Sequence, residues 1–142
     1  HTPCSVSVTG AGGLNETHTP TYANNVNAGT ATASYTYAES QNHLGSSDDE
    51  TFVIAKAAST TTVTCTAGPF TYNGDPHTPC SVTVTGAGGL NEAPTPTYAN
   101  NVNAGTATAS YTYAESANYL GSSDDETFGI AKAASTTTVT CT

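Results

Sequence analysis

The chain nearly repeats itself, and this limits what it can fold into more than any other feature. The hexapeptide HTPCSV begins at His1 and again at His77, a period of 76 residues, and residues 1–66 align with 77–142 without a gap. Only six aligned pairs differ: Ser7/Thr83, Thr17/Ala93, His18/Pro94, Gln41/Ala117, His43/Tyr119 and Val53/Gly129. A period of this length is too long for a hairpin or a solenoid rung and suits one small sandwich domain. Near-identity of the copies also argues against an enzyme, because an active site normally needs one specialised copy.

The segment AGPFTYNGDP, Ala67 to Pro76, occurs once, between the copies. The best boundary is the junction AKAAS, made of small residues and one charge. It divides the chain into residues 1–58, a repeat lacking its first strand, and 59–134, a complete repeat. Residues 135–142 remain, and they match the first strand of a repeat. Two readings stay open for that last piece. It is donated to the next subunit, or the chain is a window on a longer array. The missing initiator Met marks His1 as a processed or truncated start.

Within a repeat, apolar residues alternate with polar ones between turn signals, which predicts an all-β fold. Val63 and Cys65 share one face of STTTVTCT, with Thr62, Thr64 and Thr66 opposite. Cys80, Val82 and Val84 line one face of CSVTVTG, and Ala107, Ala109, Tyr111 and Tyr113 one face of GTATASYTY. Phe70 pairs with Tyr72 before an Asn-Gly turn, and Phe128 with Ile130. GAGGLN, ANNVNAG and AESANYLGSSDDE carry the Gly, Asn and Ser that end strands. Six or so short strands of this kind predict a two-sheet sandwich with a thin core.

Charged residues are 9% of the chain and the formal net charge is -9, with Lys56 and Lys132 the only Lys or Arg. Such a surface repels phosphate backbones and anionic headgroups, so no nucleic acid partner is expected. No apolar run approaches the ~18 residues of a membrane helix, so no membrane insertion is expected either. Four cysteines without C-x-x-C spacing point to disulfides and an oxidising, extracellular setting.

Cys65 and Cys80 fall on the inferred inward faces of the first and second strands of the complete repeat, 15 residues apart. A bridge between them is expected to contribute about 3 kcal/mol in the chain-entropy model. Cys4 is the repeat equivalent of Cys80, and Cys141 of Cys65. Neither has a partner at that spacing within the chain, so a Cys4–Cys141 bridge between successive chains or repeats is expected. The donated strand would be Ser135, Thr136, Thr137, Thr138, Val139, Thr140, Cys141 and Thr142. Donated and accepting surfaces differ, so the contact is heterologous and copies of the chain join head to tail.

Other residues give weaker signals. Asp48, Asp49, Glu50 and Asp124, Asp125, Glu126 offer clustered oxygens to Ca2+, but a solvated loop explains them as well. No other cofactor is expected. The lysines sit in the linker-like AKAA and are read as surface residues rather than isopeptide donors. His18 and His43 become Pro94 and Tyr119 in the second copy, so no metal triad recurs, and no nucleophile–His–acid trio stands out. Asn15-Glu16-Thr17 is a sequon lost in the second copy. Thr-rich faces are read as the wet side of a half-buried sheet, with O-glycans or ordered water as alternatives. Tyr35, Tyr37, Tyr111 and Tyr113 are read as core, with stacking on glycans the alternative.

The order FTYNGDPHTP, SVTVTGAGG, TYANNVNAGTATASYTYAESANYLGSS, TFGIAKA resembles bacterial Ig-like tandem repeats of large surface or extracellular proteins. The match covers essentially the whole chain. It implies tandem Ig-like β-sandwich domains used as stalk, spacer or adhesive module at the cell surface. Most such repeats lack cysteines, and their presence here implies a more robust fibre. The resulting expectation is a structural extracellular filament or surface array built from disulfide-stapled repeats. An adhesin stalk or carbohydrate-binding module is the alternative.

Overall fold

The computed structural model describes residues 1–142, which are all-β apart from two single 3-10 turns. The chain divides into two compact units, His1–Ala57 and Ala58–Thr142.

The first unit contains five strands: β1 (Val6–Gly10), β2 (Leu14–His18), β3 (Thr21–Ala23), β4 (Gly29–Tyr37) and β5 (Ser46–Ile54). β1 and β2 form a two-stranded antiparallel ribbon, and β3, β4 and β5 form a three-stranded sheet in that order. The link between β1 and β2 is the 3-10 turn Ala11–Gly13, in which Gly12 and Gly13 have φ of 73° and 88°. That left-handed backbone is the reason GAGG, rather than a run with side chains, makes the reversal.

The second unit contains seven: β6 (Ser59–Cys65), β7 (Phe70–Thr71), β8 (Cys80–Gly86), β9 (Leu90–Glu92), β10 (Thr97–Ala99), β11 (Gly105–Tyr113) and β12 (Ser122–Ala131). One sheet has the order β6-β8-β9 and the other β10-β11-β12-β7. All pairings are antiparallel except β12 with β7. Val63, Val82 and Val84 of the first sheet pack on Ala109 of the second, so the two sheets face one another across a shared core. Ala107, Phe128 and Ile130 extend it, with Phe70 edge-on to Phe128 at 5.8 Å. The small Ala107 and Ala109 and the β-branched Val63, Val82 and Val84 come from strict alternation, as the period-two pattern requires.

Three expectations need correction. The acidic runs are not loops: Ser46–Glu50 and Ser122–Glu126 open β5 and β12, paired residue for residue with β4 and β11. Acidic residues are rare in strands, but here they sit opposite the polar and Tyr-rich end of the partner, which they can share with water. Tyr72 does not join Phe70 in a strand, because β7 stops at Thr71. An Asx turn, with the Asp75 N–H donating to Asn73 Oδ1 at 3.0 Å, bends the chain and leaves Tyr72 exposed. GAGGLN and the ANNVNAG region also carry more order than stop signals imply: β2, β3, β9 and β10 begin or end there. Lys56 and Lys132 follow β5 and β12 closely, Lys56 half-buried and Lys132 exposed.

Candidate functional site: the edge of β1

The contribution of β6 is clearest in the second unit, where it is in place. It pairs with β8 in the register Ser59–Gly86, Thr61–Val84, Val63–Val82 and Cys65–Cys80. Val63 and Thr61 are both buried. Cys65 and Cys80 are disulfide-bonded with an S–S distance of 2.04 Å. The Thr66 N–H donates to Pro79 O, which makes the adjacent Cys65–Cys80 pair a non-hydrogen-bonded one, the kind that brings opposed side chains closest. The Cys80 backbone groups that face away from β6 are taken by one side chain. Tyr98 Oη accepts from the Cys80 N–H at 3.0 Å and donates to the Cys80 carbonyl at 3.1 Å.

The outer side of β6 is an edge, and polar groups of β12 close it. The Val63 N–H donates to Asp124 Oδ2 at 2.8 Å. Ser122 Oγ lies 2.8 Å from Thr61 Oγ1 and 2.7 Å from Ser59 Oγ, and Ser59 Oγ donates to the Leu120 carbonyl at 2.6 Å. Asp124 therefore caps an N–H that an edge strand would otherwise leave open to further pairing.

The first unit presents the same groups with no strand among them. β1 pairs with β2 alone. By the alternation of an antiparallel ladder, the backbone groups of Ser5, Ser7 and Thr9 face the open side. Cys4 is a free thiol, yet its backbone is held as in the second unit, with Tyr22 Oη accepting from its N–H and donating to its carbonyl, both at 3.0 Å. A cleft of about 410 Å3 runs along this edge, lined by Cys4, Val6, Val8, Ala33, Tyr35 and Asp48 among others. Exposure follows: Val8 is 9% exposed against 0% for Val84, and Leu44 81% against 48% for Leu120. Phe52, Ile54 and Asp48 are likewise more exposed than Phe128, Ile130 and Asp124.

Residues 135–142 repeat the β6 sequence STTTVTCT, but form no strand and are exposed throughout, with Val139 at 84% and Cys141 a free thiol. Alternation on a strand sends Asp124 and Asp125 to opposite faces, and the same holds for Asp48 and Asp49. No group of three or more His, Cys, Asp or Glu side chains comes together to hold a metal ion. No helix is long and apolar enough to cross a membrane.

The differing histidines have local roles. His43 Nε2 lies 2.9 Å from the Ala11 carbonyl, and its counterpart Tyr119 donates its hydroxyl to the Ala87 carbonyl at 2.5 Å. Both anchor the turn after the first strand of the ribbon, so the exchange conserves a donor. His18 stacks on Tyr35 at 4.8 Å and contacts Glu16 Oε2 at 3.0 Å. Three features of the site escaped sequence reasoning: the acceptor role of Asp124, the buried Thr61 and the tyrosine clamp on the cysteine backbone. The only available signal was position: Asp48, Thr137 and Tyr22 stand at the equivalent places of the repeat, and of the three features only the tyrosine clamp is made in both units.

No family model, curated protein or solved structure matches the chain.

Proposed function

We propose that this chain is a structural link of an extracellular filament or surface array, assembled head to tail from disulfide-stapled, Ig-like repeats. One observation supports this most strongly. The same strand-forming repeat occurs twice in tandem, and residues 135–142 carry the β6 sequence STTTVTCT again. A donated strand and an accepting edge are different surfaces, so joining them leaves one of each unused and growth continues. The disulfide suits an oxidising compartment outside the cell. The resemblance to bacterial Ig-like repeats agrees with this role, and a display stalk for adhesion would use the same links.

Electron microscopy of the purified protein under oxidising conditions tests the reading. Thin, unbranched rods of variable length are expected, with a ladder of covalent oligomers on electrophoresis that collapses when reductant is added. Monodisperse single particles at high concentration would rule out a filament.

A further inference from the structure

We propose that Asn73-Gly74 is a self-modification site, at which the chain's own backbone converts Asn73 through a cyclic imide to aspartate and isoaspartate, with water as the only co-reactant. The site lies wholly within the second unit and is independent of how copies of the chain join.

The chemistry needs a carboxamide and the next residue's backbone nitrogen within reach of a five-membered ring, with no side chain in the way. Asn73 is the only Asn of this chain followed by Gly. Both residues are exposed. Gly74 has a φ of 89°, a left-handed conformation that glycine adopts freely, and a Cβ placed there would meet nothing within 4 Å. No acceptor of the chain takes the Gly74 N–H, so the attacking nitrogen is open to solvent base. Asn73 Oδ1 accepts the Asp75 N–H at 3.0 Å. That donor is aimed at the oxygen on which negative charge develops when the amide carbon is attacked, as in an oxyanion hole.

The other asparagines lack this set. Asn25 and Asn101 have their carboxamide nitrogens tied to the His1 and His77 carbonyls, both at 2.9 Å. Asn15 and Asn91 lie in β2 and β9, and all of the others precede a residue with a side chain.

The Gly74 nitrogen gives its proton to a solvent base and attacks Asn73 Cγ. An N–Cγ bond forms, the Cγ–Nδ2 bond breaks, and ammonia leaves with a proton returned by solvent. Water then opens the imide. Attack at Cγ breaks the new bond and leaves aspartate. Attack at the main-chain carbonyl carbon breaks the original peptide bond and leaves isoaspartate, with the main chain routed through Cβ and Cγ. Either way one carboxamide and one water become one carboxylate and one ammonium ion, and nothing is oxidised or reduced. Each event adds one negative charge to a chain whose formal net charge is -9.

The two products differ in the turn. Aspartate keeps an oxygen in place of Oδ1, so it still accepts from the Asp75 N–H. Isoaspartate lengthens the main chain between two fixed points. On one side the Tyr72 N–H donates to the Ala131 carbonyl at 2.9 Å, and on the other the His77 N–H donates to the Asn101 carbonyl at 2.8 Å. The added length is taken up in the exposed residues 73–76, where the Asx turn opens.

The unaltered full chain, incubated in heavy-oxygen water and then digested, tests the site by chromatography and mass spectrometry of its Asn-containing peptides. Labelled aspartyl and isoaspartyl forms at residue 73 are expected, at least about tenfold faster than at any other Asn. Asn73→Gln, which needs a six-membered ring, should slow the reaction at this position at least about tenfold, and Gly74→Ala should slow it similarly. Conversion at Asn73 no faster than at Asn42 would overturn the proposal. So would aspartate formed without isoaspartate, the mark of direct hydrolysis. A folded chain that stays unmodified while the same chain in denaturant reacts would also overturn it, since the turn would then be protective.

Discussion

Replacing both Cys65 and Cys80 by alanine is expected to lower the stability of the second unit by about 3 kcal/mol, the loop-closure contribution for 15 residues. For a unit of this size that is a fall in Tm of roughly 12–24 °C, at ~4–8 °C per kcal/mol. The effect is large because little else compensates. The buried apolar side chains of this unit are three valines, two alanines, one phenylalanine and one isoleucine. The ladder between β6 and β8 and the Asp124 and Ser122 contacts remain in the variant, so the unit should still fold at low temperature. Calorimetry with and without reductant on the unaltered protein supplies the control, since reduction should reproduce most of the loss. A Tm change of only a few degrees would mean that β6 is held by its hydrogen bonds and packing, with the disulfide incidental.

The second large effect compares two alanine substitutions within nearly identical sequence. Phe128→Ala should cost the second unit about 3–5 kcal/mol, as for a buried phenylalanine in a filled core. Phe128 is 5% exposed and meets Phe70 and Tyr98 edge-on at 5.8 and 6.2 Å. Phe52→Ala should cost the first unit no more than about 2 kcal/mol, because Phe52 is half-buried and its edge-on partner is Tyr22 alone, at 6.2 Å. Amide hydrogen exchange resolves the two units separately, as faster exchange across β11 and β12 in one variant and a smaller change across β4 and β5 in the other. Equal costs would mean that the absence of a strand beside β1 does not weaken the core of the first unit.

Much of this architecture was legible in the residues because alternation is a strong signal where strands are long. Val82 and Val84 on β8, and Ala107 and Ala109 on β11, declare their faces in seven- and nine-residue runs. The opposed cysteines followed from those faces. What remained hidden has a common cause. β9 and β10 are three residues each, too short to show a period, and they are held by pairing with a longer neighbour. Thr97, for example, donates its hydroxyl to the Ser110 carbonyl at 3.0 Å, a contact no local pattern encodes. The acidic run SSDDE looked like a loop because charge is depleted in strands. Its Asp124 belongs there because an edge N–H 61 residues away needs an acceptor. Tyr98 sits on one of these short strands, and only the fold brings its hydroxyl to both backbone groups of Cys80.

The proposed head-to-tail link joins Cys4 of one copy to Cys141 of another. Its most direct test is the disulfide map of protein oxidised as an equal mixture of isotopically light and heavy copies. Mass spectrometry of the digested oligomers should find Cys4 joined to Cys141, with about half of those linked peptides pairing one light and one heavy partner. Cys65 should stay joined to Cys80 within single copies. Linked peptides that are never isotopically mixed, or Cys4 joined only to Cys4, would contradict it.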